Sequence, residues 1–462
     1  MEGKMNSENN SFGFLYKFLG LFTKIHPGEA ATLLLLTLTA FLVLGAYYIV
    51  KPVREGLILG GTSAEFKSYL GVAAVILLIF VVKAFSRIAS KVSRQKLITW
   101  VTFFFISNLI IFYLLSFTNI SKPVYGTAFF IWIAIFNVMV VAQFWAFAND
   151  TYTPEEGKRL FPMVAFGATF GAFAGSKAAG WLVAPIGRFQ LMLVCAGTLF
   201  ISVVLIWIVH RREINKSQPA KTGEQPVDEK PESDKEKPLG KEGGFKLVFK
   251  KRYLLYLAIF ILMLNFINTN GEFILGHVAR STAAQAVETS TAGGLVLDDY
   301  ITKFYADFFS IVNLLGLFIQ LFLVSRIFKW FGIRGAIFFL PLISLGGYMF
   351  VALGASLLIV RLTKTLENST DYSLMNTTRH SLFLVTSREE KYKAKAAIDT
   401  FFHRGGDVLS GVLVLVGTTF LALNIEGFAV FNVFLALIWI FVGFLVAREH
   451  KKISSGLTGS KP

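Results

Sequence analysis

Residues 30–60, AATLLLLTLTAFLVLGAYYIVKPVREGLILG, decide the fold of this chain. About twenty residues at the start of this stretch are almost wholly apolar, which is the length that an α-helix needs to cross a bilayer. Three charged residues, Lys51, Arg54 and Glu55, then interrupt the apolar run before it resumes. Because charge inside a membrane is costly, we expect these side chains to face a hydrated cavity or one another.

The whole chain has the composition of a polytopic membrane protein. Its 462 residues are 54% hydrophobic, include 48 phenylalanines and have a mean hydropathy of +0.61. A soluble protein must present a polar surface to water, so this composition excludes that class. The single cysteine, Cys195, excludes a disulfide framework and a paired-thiol metal site.

Twelve apolar runs have the length of membrane helices, so the sequence predicts an all-α polytopic fold with twelve transmembrane helices. These runs lie near residues 30–58, 67–87, 98–117, 124–147, 161–185, 188–209, 252–274, 302–324, 334–355, 356–384, 396–422 and 427–447. A charged stretch rich in Pro, Glu, Lys and Ser separates the sixth run from the seventh, and its composition predicts disorder. The chain therefore divides into two halves of six helices.

This layout predicts five regions. They are a cytoplasmic N-terminus at 1–29 with an interfacial helix over 12–25, an N-terminal six-helix bundle at 30–209, a disordered charged cytoplasmic linker at 210–250, a C-terminal six-helix bundle at 251–447 and a cytoplasmic tail at 448–462. Most Lys and Arg residues fall in short loops on one side, which the positive-inside rule makes the cytoplasm, with both termini on it. The formal charge of +16 therefore reflects topology rather than nucleic-acid binding.

The two halves also resemble each other in short stretches. The matches are TPEEGKR at 153–159 with SREEKYK at 387–393, Gly171 with Gly405 at the same offset, and GLILG at 56–60 with EFILG at 272–276. Duplicated halves are typical of secondary transporters, whose substrate site lies between the repeats near the middle of the membrane. Chance similarity between apolar segments is the alternative.

Two backbone features stand out in the predicted helices. Gly167, Gly171 and Gly175 recur every fourth residue, and small residues at that spacing let two membrane helices pack closely. Pro52 follows Lys51 late in the first span, and proline removes a helical hydrogen bond, so we expect a kink or break there.

Ionisable side chains recur inside other predicted spans. The richest is SLLIVRLTKTLENSTDYSLMNTTRHSLFLV at 356–385, whose helical periodicity puts one polar stripe along the helix. The stripe consists of Arg361, Lys364, Asn368, Asp371 and Arg379, and further intramembrane charges are Lys177, Glu272, Asp399, Arg404 and Asp407. We expect these groups, with the charges of the first span, to line a hydrated cavity that binds substrate. Ion pairs that only lock the bundle are the alternative.

The sequence contains no HExxH, Walker, GxSxG or paired CxxC motif. It therefore predicts a protein that is not an enzyme and that uses no cofactor and no metal.

Four places resemble a known family. QFWAFANDTYTPEEGKRLFPMVAFG at 143–167 and DYSLMNTTRHSLFLVTSREEKYKAKAAIDT at 371–400 are similar to the matching stretches of the ATP/ADP translocases, the nucleotide transporters of plastids and intracellular bacteria. YYIVKPVRE at 47–55 resembles the charged signature at the end of that family's first helix. Glu272 lies close to an acidic position of its seventh helix.

The resemblance implies a major facilitator-like fold and exchange of nucleotides across a bacterial inner membrane. Lys51, Arg54 and Arg379 would then be basic groups that meet phosphates, and Glu272 a carboxylate needed for binding or exchange. Charged guanidinium and ammonium groups suit this task because they form strong hydrogen bonds to phosphate oxygens. We expect a monomer in the lipid bilayer, with a nucleotide or other anionic metabolite as its small-molecule partner and no nucleic acid.

The chain departs from that family at Asp371, where the family tends to have Lys, so two other functions stay open. The first is an ion-coupled carrier of another organic anion, in which Asp371, Asp399 or Asp407 takes the coupling ion. The second is a non-transporting membrane sensor or scaffold.

Overall fold

A computed structural model of the chain describes residues 25–26, 29–89, 94–217 and 243–458. The predicted interfacial helix over 12–25 lies, apart from Ile25, outside the described residues. Residues 218–242 of the predicted linker and the last four residues of the tail lie outside them as well. The described part of the chain is almost entirely helical and contains no β-strand.

Six long helices cover the first half. They are α1 Ala30–Gly61, α2 Ala64–Ala89, α3 Arg94–Leu115, α4 Lys122–Thr151 with a π-helical turn at Asn137–Val141, α5 Pro154–Ile186 and α6 Gln190–Ser217.

The second half opens with a short helix, Gly244–Lys250. The long helices that follow are α7 Arg252–Glu288, α8 Leu297–Ala336 with a π-helical turn at Ile319–Leu323, and α9 Phe339–Leu353. Helix α10 runs through Leu357–Thr370, a π-helical turn at Asp371–Met375 and Asn376–Leu382. Helix α11 runs through Glu390–Ala394, Lys395–Ala397, Ile398–Phe402 and His403–Thr419, and α12 is Ile425–Thr458.

Within the described ranges, eight helices are long and apolar enough to cross a membrane: α1, α2, α3, α4, α6, α7, α8 and α12. This confirms the predicted class of an all-α polytopic membrane protein. Helices α5, α9, α10 and α11 lie where the sequence predicts the other spans, but twelve crossings remain a prediction.

Two helices differ from the expectations. Helix α1 runs continuously through Pro52, so the chain does not break there. The seventh predicted run ends near residue 274, but α7 extends beyond it to Glu288. The stretch ARSTAAQAVE explains the second difference, because Ala, Gln and Glu favour helix even where apolar content falls.

Close packing of α1 against α5 depends on glycine, as the four-residue spacing predicted. A Cβ atom on Gly171 would lie 2.1 Å from the carbonyl oxygen of Phe41, and one on Gly175 would lie 2.2 Å from that of Gly45. Any larger residue would therefore force the two backbones apart. The predicted structural role of these glycines is confirmed.

Matching features of the two halves support the internal duplication. The π-helical turns at Asn137–Val141 and Asp371–Met375 are 234 residues apart. The same offset separates Thr153 from Ser387, and each of these residues begins a capping box with the glutamate three positions later. Two features at one offset are hard to explain by chance similarity of apolar segments.

The chain forms two compact units. Their described parts are 25–26, 29–62, 77–89, 94–217 and 287–314 for the first unit, and 63–76, 243–286 and 315–458 for the second. The beginnings of α2 and α8 are thus grouped with the helices of the other half. The predicted bundles at 30–209 and 251–447 remain a prediction.

Candidate functional site

The charged segment of α1 lies in an aromatic environment in the first unit. The Lys51 ammonium is 4.0 Å from the ring centre of Phe309, 4.8 Å from that of Tyr48 and 5.9 Å from that of Tyr47. Aromatic faces attract cations, so these rings stabilise a charge that lipid would exclude. The three rings therefore give the Lys51 ammonium a favourable contact next to apolar packing.

Arg54 and Glu55 form an ion pair one residue further along α1. The Arg54 Nε atom lies 3.0 Å from Glu55 Oε1, and its guanidinium also covers the ring of Phe130 at 5.0 Å. The Glu55 side chain is only 1% exposed. A carboxylate this deeply buried needs a cation as its partner. Arg54 therefore has at least in part a structural role, which is to neutralise Glu55.

Sequence reasoning missed the partner of Lys177. Its ammonium lies 3.6 Å from Asp307 of α8, and each side chain is 36% exposed. Asp307 sits in the predicted eighth span as a lone acid among aromatics, and the cost of charge in a span was the signal that would have singled it out.

A second missed cluster joins the turn between α5 and α6 to the start of α8. Arg188 contacts Asp298 at 3.0 Å and Asp299 at 2.8 Å, and Lys122 lies 3.6 Å from Asp298. Gly60 permits this approach, since its Cβ would lie 2.1 Å from the Asp298 carboxylate. These contacts anchor residues 297–302 within the first unit.

In the second unit, Lys364 and Glu367 of α10 form a buried network. The Lys364 ammonium donates to Glu367 Oε2 at 2.8 Å and to the Asn268 side-chain oxygen at 2.8 Å. Ser344 and Tyr348 of α9 also donate to the Glu367 carboxylate, at 3.2 and 2.8 Å. Lys364 and Glu367 are 1% and 2% exposed, so this end of the polar stripe faces protein rather than an open cavity.

Glu272 of α7 joins the same network at its more exposed edge. Its carboxylate accepts a hydrogen bond from Asn368 at 3.0 Å and lies 3.5 Å from the Lys364 ammonium. Arg361, one turn before Lys364, is partly buried. The structure therefore brings Glu272, Lys364 and Asn368 together.

The other end of the stripe lines a cavity of about 320 Å³ within the second unit. Asp371 and Arg379 contribute charge to its wall, and the remaining lining residues are Leu264, Tyr372, Met375, Asn376 and His403. The π-helical turn at Asp371–Met375 places the acid in the wall, and such turns often occur at functional sites. The cavity combines a carboxylate, a guanidinium, an imidazole and an amide.

Two of the acids predicted to take a coupling ion, Asp399 and Asp407, already have partners in the second unit. Asp399 lies 3.8 Å from Arg379 and 3.4 Å from Lys395. Asp407 accepts hydrogen bonds from Asn265 and Thr269, at 2.8 and 2.7 Å, and contacts Arg404 at 3.4 Å.

No group of three or more His, Cys, Asp or Glu side chains suited to a metal occurs among residues 25–26, 29–89, 94–217 and 243–458. The polar side chains of the two units form ion pairs, hydrogen bonds and cation–π contacts. Groups of this kind suit the reversible binding of an anion.

Comparison with known proteins shows what the chain is similar to. Residues 125–274 match the family described as TLC ATP/ADP transporter. The chain is 24% identical to ADP,ATP carrier protein 1 of Chlamydia pneumoniae, over 94% of this chain and 93% of the carrier. It is 22% identical to ADP,ATP carrier protein 5 of Rickettsia bellii, over 97% of this chain and 100% of the carrier.

Solved structures of transporters share the fold. A bacterial homologue of the human lysosomal transporter Spinster, in an inward-facing and unoccupied conformation, aligns with a TM-score of 0.60 at 14% identity, over 93% of this chain and 99% of that one. The nucleoside transporter NupG aligns with a TM-score of 0.51 at 14% identity, over 91% and 98%. The chain is thus similar to the TLC ATP/ADP transporter family over residues 125–274, and it shares its fold with these solved transporters.

Proposed function

We propose that this protein is a secondary transporter that exchanges nucleotides of the ATP and ADP type across a membrane by alternating access. The observation that carries the proposal is its similarity to two ADP,ATP carriers along more than nine-tenths of the chain. A similarity of that extent includes every predicted span, rather than one shared motif.

The charges in the predicted spans support an anionic substrate. Lys51, Arg54 and Lys177 in the first unit, and Arg379 and Arg404 in the second, are candidate phosphate-binding groups. Arginine and lysine bind phosphate through charge-assisted hydrogen bonds, and the Lys51 and Arg379 side chains are only partly buried. Glu272 is the candidate carboxylate for binding or exchange.

For the topology we propose two six-helix bundles at 30–209 and 251–447, joined by a cytoplasmic linker. The excess of Lys and Arg in loops on one side supports cytoplasmic termini in a bacterial inner membrane. The working unit in this proposal is a monomer.

The proposal is tested with purified protein in liposomes. Liposomes loaded with unlabelled ADP should take up labelled ATP, and uptake should fall to background when the lumen contains buffer alone. A panel that includes the other nucleoside triphosphates, AMP and phosphate defines the substrate range. Absence of counter-exchange with every nucleotide of the panel would reject the proposal.

A second candidate is an ion-coupled carrier of another organic anion. The observation that favours it is the acid Asp371 in the wall of the 320 Å³ cavity, with Asp399 and Asp407 on the neighbouring helix α11. In that case, an imposed proton or sodium gradient should drive labelled anion into liposomes that contain no internal substrate. Exchange that ignores both gradients would exclude this candidate.

A further inference from the structure

The Lys364 ammonium is surrounded by oxygen atoms. They are the Asn268 side-chain oxygen at 2.8 Å, the Glu367 Oε2 atom at 2.8 Å, the Asn268 carbonyl at 3.1 Å and the Glu272 Oε1 atom at 3.5 Å. Two carboxylates, an amide and a carbonyl are oxygen ligands of the hard type that bind alkali cations. A lysine ammonium is a compact cation with three donors and no acceptor, so it satisfies the same ligands.

The surrounding residues hold these oxygen atoms in place without Lys364. Ser344 and Tyr348 fix the Glu367 carboxylate, and Asn368 fixes that of Glu272. Gly271 leaves the room that this packing requires, since its Cβ would lie 1.8 Å from the Tyr348 hydroxyl oxygen. Removal of the lysine side chain should therefore leave a preformed cage with two negative charges.

Lys177 shows what an ordinary pair in this chain looks like. Its ammonium has one carboxylate oxygen at 3.6 Å and the Trp181 ring at 5.5 Å, and the side chain is 36% exposed. Lys364 is 1% exposed and has four oxygen neighbours. Lys364 therefore differs from Lys177 because four oxygen atoms, the oxygen cage, surround its ammonium group.

We propose that Lys364 is a tethered cation that permanently occupies a monovalent-cation site formed by α7 and α10. Because the ammonium is covalently attached, it cannot dissociate into solution, and the site needs no ion from the medium. Lys364→Ala should convert the cage into a site for potassium or ammonium ions, whose size resembles that of the lysine head group. The consequence for transport, exchange that ignores alkali cations, rests on the proposed function; binding at the site does not.

The first test is thermal unfolding of the purified full-length protein in detergent. The Lys364→Ala variant should melt at least about 3 °C higher in 150 mM KCl or NH₄Cl than in choline chloride at the same ionic strength. The effect should saturate with concentration, and sodium should act more weakly because it is smaller. The wild-type protein should melt at the same temperature in all four salts.

Two control variants separate this effect from a general response to salt. Lys364→Ala combined with Glu367→Gln removes one carboxylate of the cage and should abolish the potassium shift. Lys177→Ala also removes a lysine from a carboxylate, but no cage remains, so it should show no shift. A potassium shift in Lys177→Ala or in wild type equal to that of Lys364→Ala would overturn the proposal.

Recovery of the variant is itself informative. Cells and KCl buffers supply the ion, so Lys364→Ala should be obtained folded from KCl. Failure to recover it there, while the double variant Lys364→Met with Glu367→Gln folds, would overturn the proposal, because potassium would then not replace the lysine. Equal melting in KCl and choline chloride would reject the proposal as well.

The second test uses liposomes. Nucleotide exchange by wild type should not change when choline replaces potassium, whereas exchange by Lys364→Ala should fall at least tenfold in choline and recover in potassium. If wild type exchanges no nucleotide, the proposed function fails, while the melting test still decides on the cation site.

Discussion

Arg54 and Glu55 form an ion pair whose carboxylate is almost wholly buried, so a substitution there should act on stability first. Arg54→Gln takes away a cationic partner of Glu55 and should cost about 3 kcal/mol of unfolding free energy. Adding Glu55→Gln should recover much of that loss, because no buried charge then lacks its cation. Thermal unfolding of the three variants measures this. Weakened nucleotide binding by Arg54→Gln at unchanged stability would assign Arg54 to the substrate instead.

For single residues, the sequence identifies the charged side chains but not their partners. The cost of charge in a membrane singled out Lys51, Lys177 and Lys364 from single spans. Asp307 lies 130 residues after Lys177, and Asn268 lies 96 residues before Lys364. No periodicity within one helix links residues at such separations. Which end of the polar stripe opens into a cavity is likewise decided by neighbouring helices.

The close contact between α1 and α5 predicts that a larger residue at Gly171 destabilises the protein. Gly171→Ala places a methyl group 2.1 Å from the carbonyl oxygen of Phe41 and should cost about 1–3 kcal/mol through overpacking. Gly197→Ala in α6 is the matched control, because nothing lies within 4 Å of its Cβ. There the gain in helix propensity should leave stability equal or up to about 1 kcal/mol higher. Equal effects of the two substitutions on thermal unfolding would contradict the role of Gly171.

The start of α11 gives a prediction about pH. Burial of Glu390 opposes its ionisation, but hydrogen bonds from Lys251 and from the Ser387 backbone N–H outweigh burial and lower the pKa of this carboxyl. A lowered pKa in the folded state adds stability above the unfolded pKa, and that stability disappears as pH falls through the folded value. We expect Glu390→Gln to cost about 1 kcal/mol at pH 7 and to flatten the loss of stability below about pH 5.

The neighbouring Glu389 provides the control for the pH prediction. Its carboxylate pairs with Lys393 at 3.1 Å within one helix and is 30% exposed, so Glu389→Gln should change stability by less than about 0.5 kcal/mol. Unfolding curves between pH 4 and 7 compare the variants. An acid limb for Glu390→Gln identical to that of wild type would contradict the assignment.

The positions of the helices could be predicted from hydropathy, whereas local departures from regular α-helical geometry could not. Hydropathy located α1 and α6 to within a few residues at their starts, and the glycine spacing predicted the contact of α5. The π-helical turns at Asn137–Val141 and Asp371–Met375 have no compositional mark, because each inserts one residue into an otherwise ordinary helix.

For the whole molecule, sequence predicted the fold class because continuous apolar runs of about twenty residues have the length and composition of membrane helices. It predicted part of the candidate site, because charged residues in spans are rare enough to be noticed. The grouping of 63–76 and 287–314 depends on packing across the fold, which one sequence cannot encode in its local pattern. The ion pair of Asp298 with Arg188 likewise becomes visible only in the packed structure.

A charged segment joins the two halves of the chain. Helix α6 ends at Ser217 and the next helix begins at Gly244, and the stretch between them, residues 218–243, has too few apolar residues to form a core. A flexible link of about fifteen residues would have a reach of roughly 20 Å, and such shortening should change the closure cost by less than about 1 kcal/mol. We therefore expect unchanged melting and exchange. A deletion of ten residues within 276–288 is the control and should abolish both, because that stretch is helical in α7. Loss of folded protein on trimming the linker would show that it packs against the halves it joins.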